Sequence, residues 1–275
     1  MQLFKCQVCD QILYFENTAC VKCLSRVGFL PQSNELTALA YNGQVWAALA
    51  ISGRSFRFCS NNEFDVCNWL VDSASGETYC KCCRHNRTIL DLKVSGNLEA
   101  WRKLEAAKHR LFYTLIKLRL PLENRVDAPS YGLAFDFLDA SPGSSKVFTG
   151  HSNGIITVAG AEADDVQRER SRISMHEPYR TLLGHFRHEV GHYYWDRLVR
   201  DRSKIDVTRE VFGDERKDYG AALNAHYTTG HPLTGICHSS RLMPPRILGR
   251  ILRKRGHIIF ISLIRLKWRA LLAYR

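Results

Sequence analysis

Residues 182–199, LLGHFRHEVGHYYWDRLV, carry the reading of this chain. Their apolar residues follow a helical repeat, and His188 and His192 stand four apart, on one face of that helix. Both imidazoles can therefore hold one Zn²⁺, with Glu189 beside them within reach of a metal-bound water. A metal in that position brings the pKa of its water towards about 7 and polarises a carbonyl. Glu189 is then the expected general base, and peptide-bond hydrolysis the expected reaction. Tyr193, Tyr194 and Trp195 argue that the helix is buried rather than a solvated face with surface histidines. Asp196, one turn beyond His192, either orients that imidazole or pairs with Arg200. His185 is expected to support the ligands from behind or to pack near the pair, not to bind metal.

Working outward, residues 154–159 (GIITVA) read as an edge strand along which an extended peptide substrate could add backbone hydrogen bonds. Residues 131–138 read as another strand, with a Pro/Gly/Ser turn region at 141–146 between the two. Leu98, Trp101, Leu104, Leu111, Phe112, Leu115 and Leu118 recur at three-to-four spacing, so residues 97–120 form a long amphipathic helix closed by Pro121. Residues 161–175 and 214–226 give two further helices. Short strands are expected at 12–15, 27–30, 46–51, 56–58 and 67–71.

Ten cysteines in 275 residues are too dilute for a small disulfide-stapled scaffold, and their spacing indicates metal. Cys6, Cys9, Cys20 and Cys23 follow C-x2-C-x10-C-x2-C, so two tight turns each present two thiolates to the corners of a tetrahedron around Zn²⁺. The first 35 residues hold too little apolar material for a core, and metal binding is expected to fold them. A second group contains five thiols where a closed structural site takes four. Cys80 and Cys83 repeat the CxxC turn, whereas Cys82 would put adjacent residues in one site, so the expected ligands are Cys59, Cys67, Cys80 and Cys83. His85 reads as a surface residue, and Cys237 has no role.

The net charge of +12 is unevenly placed. Ten Lys/Arg and no Asp or Glu follow residue 218, leaving 29 basic against 27 acidic residues before it. A nearly neutral body argues against nucleic acid as a partner, because phosphate contact needs clustered Lys/Arg. The start, MQLFKCQVC, lacks the apolar run of a secretory leader, which points to the cytoplasm. The longest apolar stretch, residues 258–264, is far below the roughly 20 residues that span a bilayer.

On CQVCDQILYFENTACVKC (6–23), FRFCSNNEFDVCNWL (56–70), YCKCCRHNRTI (79–89), LEAAKHRL (104–111), EPYRTLLGHFRHEVGHYYWDRLV (177–199) and FGDERKDYGAAL (212–223), the chain resembles bacterial zinc-binding metallopeptidases with an N-terminal zinc ribbon. The resemblance runs to about His226 and implies a zincin-like catalytic domain. It also implies a third protein ligand, a Glu on a helix downstream of HExxH, within a segment like HPWEDFAETWAHYFHIVDTLE. No carboxylate follows Asp218 here. LRKRGHIIFI (252–261) can nevertheless be encoded so that reading from the third base gives AETWAHYFH. The expectation is a frame break near residues 232–235, which also accounts for the basic tail. Asp214, Glu215 and Asp218 are the nearest substitute ligands, and read better as a charged helix face.

The expected architecture is α+β: zinc-ribbon-like β lobes at 1–35 and 36–93, then a zincin-like, mostly helical domain with a small sheet at 94–231, then an aberrant tail at 232–275. The expected cofactors are two structural zinc ions and, if the third ligand is available, one catalytic zinc. The expected partner is a peptide or protein substrate, with no membrane. The rival is a zinc-ribbon binding module for protein or nucleic acid, in which HExxH is a non-catalytic relic.

Overall fold

The structure is a computed structural model that describes residues 2–139, 147–174, 181–200 and 205–206. It divides into two compact units at Leu183/Gly184. The expected helix at 214–226, its acidic residues Asp214, Glu215 and Asp218, Cys237 and the tail lie outside the described residues.

The first unit opens with a two-stranded ribbon, β1 (Phe4–Lys5) and β2 (Ile12–Leu13). A five-stranded antiparallel sheet follows in chain order: β3 (Val27–Leu30), β4 (Glu35–Tyr41), β5 (Trp46–Ala48), β6 (Ser55–Phe58) and β7 (Leu70–Asp72). A bridge between Phe29 and Trp69 brings the end of this sheet back beside its first strand. The curled sheet encloses Leu30, Leu39, Ala48, Phe56 and Leu70. Gly28 sits where β3 passes under Leu70, and a Cβ there would lie 2.7 Å from Leu70 Cδ2. β3, which follows the first four cysteines, pairs with β4, so the chain leaves the ribbon directly into the first strand of this sheet.

The first 35 residues do contribute to a core, contrary to the expectation that metal alone organises them. Phe29 packs against Phe4, Phe15, Trp69 and Tyr113, with ring centroids 6.4, 5.0, 4.6 and 6.1 Å away. The short apolar runs look insufficient because their partners lie 40 to 98 residues downstream in the sequence.

A second sheet has the order β10 (Gly150–Ser152), β11 (Ile155–Ala159), β9 (Ala134–Leu138), β8 (Asn86–Thr88). The strand expected at the edge is therefore internal: β11 pairs with β9 in parallel and with β10 antiparallel. The cause is local. Asn153 and Gly154 take φ of 47° and 83°, the left-handed pair that makes a two-residue hairpin, and the hairpin folds β10 over the side of β11 that would have been open.

Helix α1 (Asn97–Lys117) starts after Gly96 in the left-handed conformation and packs on this second sheet, with Phe112 5.9 Å from Phe135. Glu105, Lys108 and His109 lie buried on the same helix as Trp101, Leu104 and Leu111. Lys108 Nζ donates to Glu105 Oε1 at 2.9 Å and to Asn86 Oδ1, and lies over the Phe135 and Phe137 rings. Burial alone would lower the Lys108 pKa, but the Glu105 carboxylate and the Cys82 and Cys83 sulfurs outweigh it and keep the ammonium charged. His85, expected at the surface, is buried against Phe112 and places Nε2 3.1 Å from the Leu122 carbonyl. Burial lowers its pKa to about 3, so the ring is neutral.

Helix α2 (Asp165–Ser174) is tied to α1 by Lys103 and Asp165 at 3.5 Å. Helix α3 (Leu182–Trp195) begins at the unit boundary and continues as a π-helical turn over Asp196–Arg200. Among the described residues, no helix is long and apolar enough to cross a membrane.

The aromatic cluster gives a direct test. Phe29→Ala removes the ring at its centre and is expected to lower unfolding free energy by about 3–5 kcal/mol. Tyr14→Ala, at an exposed position, should change it by no more than about 0.5 kcal/mol. Urea denaturation followed by tryptophan fluorescence measures both.

Candidate metal centres

In the ribbon, Cys6 Sγ lies 3.6 Å from Cys23 Sγ, and Cys9 Sγ lies 3.5 Å from Cys20 Sγ. Disulfide sulfurs would be about 2.05 Å apart. Four thiolates at about 2.3 Å from a tetrahedral zinc stand roughly 3.8 Å from one another, so the set fits the ion after small adjustments. The two turns repeat one geometry. The Asp10 amide donates to the Cys6 carbonyl and the Leu24 amide to the Cys20 carbonyl, each at 2.9 Å. Asp10 and Leu24 each close their turn with φ near +58°, at 58° and 59°. The Ser25 hydroxyl, 3.2 Å from Cys23 Sγ, and the Ser25 amide lower that thiol to about 6, favouring the thiolate a metal requires.

The second group is fully buried, and it brings together the four residues chosen from spacing: Cys59, Cys67, Cys80 and Cys83. Cys67 Sγ and Cys80 Sγ are 3.7 Å apart. Backbone amides point at the sulfurs: Cys80 N at 3.3 Å from Cys59 Sγ, Cys83 N at 3.4 Å from Cys80 Sγ, and Trp69 N at 3.4 Å from Cys67 Sγ. Such N–H···S bonds stabilise thiolates and fix the directions of their lone pairs.

Cys82, the fifth thiol, is separate from these four and belongs with Glu105 and His109 of α1. All three are buried, and burial pushes the Cys82 thiol up to about 11. Sequence reasoning missed this trio. The signal was available in LEAAKHRL, where Glu105, Lys108 and His109 follow the spacing of the apolar stripe, so the helical repeat turns three polar side chains inward with it.

On α3, His188 Nε2 and His192 Nε2 approach to 3.1 Å, with ring centroids 4.8 Å apart and planes at 78°. Two imidazole nitrogens about 2.0–2.1 Å from a tetrahedral zinc stand roughly 3.4 Å apart, so the pair fits one ion. A Glu189 carboxylate oxygen lies within 4.8 Å of a ring nitrogen of each histidine. Burial raises the Glu189 pKa to about 7, with the His185 charge opposing it. Asp196, left between two roles by its spacing, forms an ion pair with Arg200 at 3.0 Å. Among the described residues, no further His, Cys, Asp or Glu completes the α3 group.

Two family models match the chain: one described as "Putative zinc-binding metallo-peptidase" over residues 97–235, and a zinc-ribbon domain over residues 3–94. An uncharacterized protein of Mycobacterium bovis and two of Mycobacterium tuberculosis are each 41% identical to it over 233 residues. The alignment takes in 84% of this chain and 64% of each relative, so the chain spans less than two thirds of the length of those proteins. No solved structure matches it.

Removing one ribbon thiol tests whether metal and local folding are one event. Cys9→Ser is expected to lose one zinc per chain by elemental analysis. It should also open the first 25 or so residues to limited proteolysis, while α1 stays protected.

Proposed function

This chain belongs to the family of zinc-binding metallopeptidases that carry a zinc ribbon, and from that premise we propose that its complete form hydrolyses peptide bonds at the α3 histidine pair. The observation that carries this reading is the convergence of two imidazole nitrogens at 3.1 Å with a carboxylate beside them. Zinc held there would supply Lewis acidity for the scissile carbonyl and a bound water with a pKa near 7. The remaining chemistry belongs to the chain. His188 and His192 fix the position of the ion by their Nε2 atoms. Glu189 accepts the proton of the attacking water and delivers it to the departing amine nitrogen. A zincin-like, mostly helical domain over residues 94–231, a peptide or protein substrate and a reducing, cytoplasmic setting belong to the same proposal.

Catalytic zinc takes three protein ligands, and His188 and His192 supply two. No Asp or Glu follows Asp218 in the sequence. The match to the peptidase model ends at residue 235, where the sequence reading places the frame break. We infer that the missing ligand is the Glu of AETWAH in the other frame, and that this polypeptide holds its third zinc weakly and turns over slowly.

The test uses the gene and two variants. A single-base insertion or deletion near codons 232–235 should restore AETWAH in frame, and the restored protein should cleave an unfolded protein substrate. Glu189→Gln in that protein is expected to reduce cleavage by about 10²–10⁴-fold with zinc content unchanged. His188→Ala should lose one zinc as well as activity. Cleavage that survives both substitutions, or a gene in which no base change restores the segment, refutes the reading.

A further inference from the structure

Next to the four-cysteine site of the curled sheet, a second set of donors faces the same sulfurs. We propose that Cys82, Glu105 and His109, with the Cys83 thiolate as a bridge, form a further metal position for a zinc-like divalent cation, so that this lobe holds a dinuclear cluster.

The first argument is geometric. One donor atom from each of Cys82, Glu105 and His109 lies within 4.8 Å of the other two, and all three residues are buried. Cys83 Sγ lies 3.7 Å from His109 Nε2 and 4.0 Å from Glu105 Oε2. Around a tetrahedral zinc, a sulfur and a nitrogen or oxygen stand about 3.5 Å apart. The two Cys83 contacts would need to close by only a few tenths of an ångström. Cys83 already belongs to the neighbouring four-cysteine set, and a thiolate has lone pairs for two ions.

The second argument is the way each donor is held. His109 Nδ1 lies 2.7 Å from the Glu105 carbonyl oxygen, which can only accept, so Nδ1 carries the proton. That leaves Nε2 turned towards the sulfurs, 3.3 Å from Cys67 Sγ as well as 3.7 Å from Cys83 Sγ. A backbone carbonyl fixing one ring nitrogen while the other faces a metal is the usual arrangement of a ligating histidine. Glu105 is oriented in the same manner. Its Oε1 accepts from Asn86 Nδ2 at 2.6 Å, Lys108 Nζ at 2.9 Å and Trp101 Nε1 at 3.2 Å. Oε1 is therefore fully used, while Oε2 lies 3.6 Å from His109 Nδ1 and 4.0 Å from Cys83 Sγ.

The third argument is charge. One zinc with four thiolates is a dianion, and the Glu105–Lys108 pair adds nothing to that sum. A buried dianion is costly unless compensated. A second divalent ion, entering as Cys82 loses its proton, reduces the net charge to minus one. The alternative compensation is a protonated His109 that donates to the thiolates without a second ion.

Metal analysis separates these two cases. The experiment is run on the full chain carrying His188→Ala and His192→Ala, so that the α3 pair contributes no metal and its fate has no bearing on the result. In that protein, Cys82→Ser is expected to lose one zinc per chain by elemental analysis and native mass spectrometry, with far-ultraviolet circular dichroism unchanged. His109→Gln should lose the same ion, which guards against a folding defect peculiar to position 82. On titration with Co²⁺, the spin signal per cobalt should fall as the second position fills, because a bridging thiolate couples the two ions. Equal zinc in the parent, Cys82→Ser and His109→Gln proteins, with spin intensity proportional to bound cobalt, would overturn the proposal and leave His109 as a hydrogen-bond donor to a mononuclear site.

Discussion

Four buried thiolates cannot stay within van der Waals reach of one another unless a cation offsets their repulsion. Cys59, Cys67, Cys80 and Cys83 meet in one such buried group, and much of the first unit is arranged around them. Cys59 follows β6, Cys67 precedes β7, and Cys80 and Cys83 lie on the turn that leads to β8. Drawing these points together closes the sheet on itself and delivers the chain to the second sheet. Donation of backbone amides to sulfur does there what a ladder of strand hydrogen bonds does elsewhere. It satisfies polar groups in a place where water is excluded.

The helix that covers this centre would be poor material for a core by composition alone. Glu105, Lys108 and His109 bring three ionisable groups into it, yet each is matched: Glu105 by Lys108, Asn86 and Trp101, and His109 by a carbonyl and two sulfurs. Burying one member without its partners would be severely destabilising, since a lone charge in such surroundings costs about 3–5 kcal/mol. The row therefore fixes the rotation of α1 about its axis more strictly than apolar side chains would. A helix turned by one residue would leave all three without partners.

Legibility in the sequence followed the range of the interaction. Spacing within a few residues sufficed for the CxxC turns, for the i, i+4 histidines of α3 and for α1, whose Trp101, Leu104, Leu111 and Phe112 share one face. Even the choice of Cys83 over Cys82 rested on a local turn, and the two thiols now stand in different groups. What depended on distant partners was missed. The core built by Phe4, Phe15 and Phe29 needed Trp69 and Tyr113. His85 looked like a surface residue because nothing nearby in sequence predicted Phe112 against its ring. The strand β4, ELTALAY, lies among small residues and was not expected. Asn153-Gly154 is a readable hairpin signal, and it places a strand before it as well as after it.

The bridge from Phe29 to Trp69 has a consequence for the behaviour of the chain in a crowded solution. A sheet whose last strand returns to its first has no long open row of amides and carbonyls to recruit a neighbour into a fibril. The boundaries that remain in the second sheet, β10 and β8, are three residues each, too short to template ordered stacking. Protection against self-association is thus a property of how the strands close, and it would fail first wherever the four-cysteine group came apart and let β7 drift from β3.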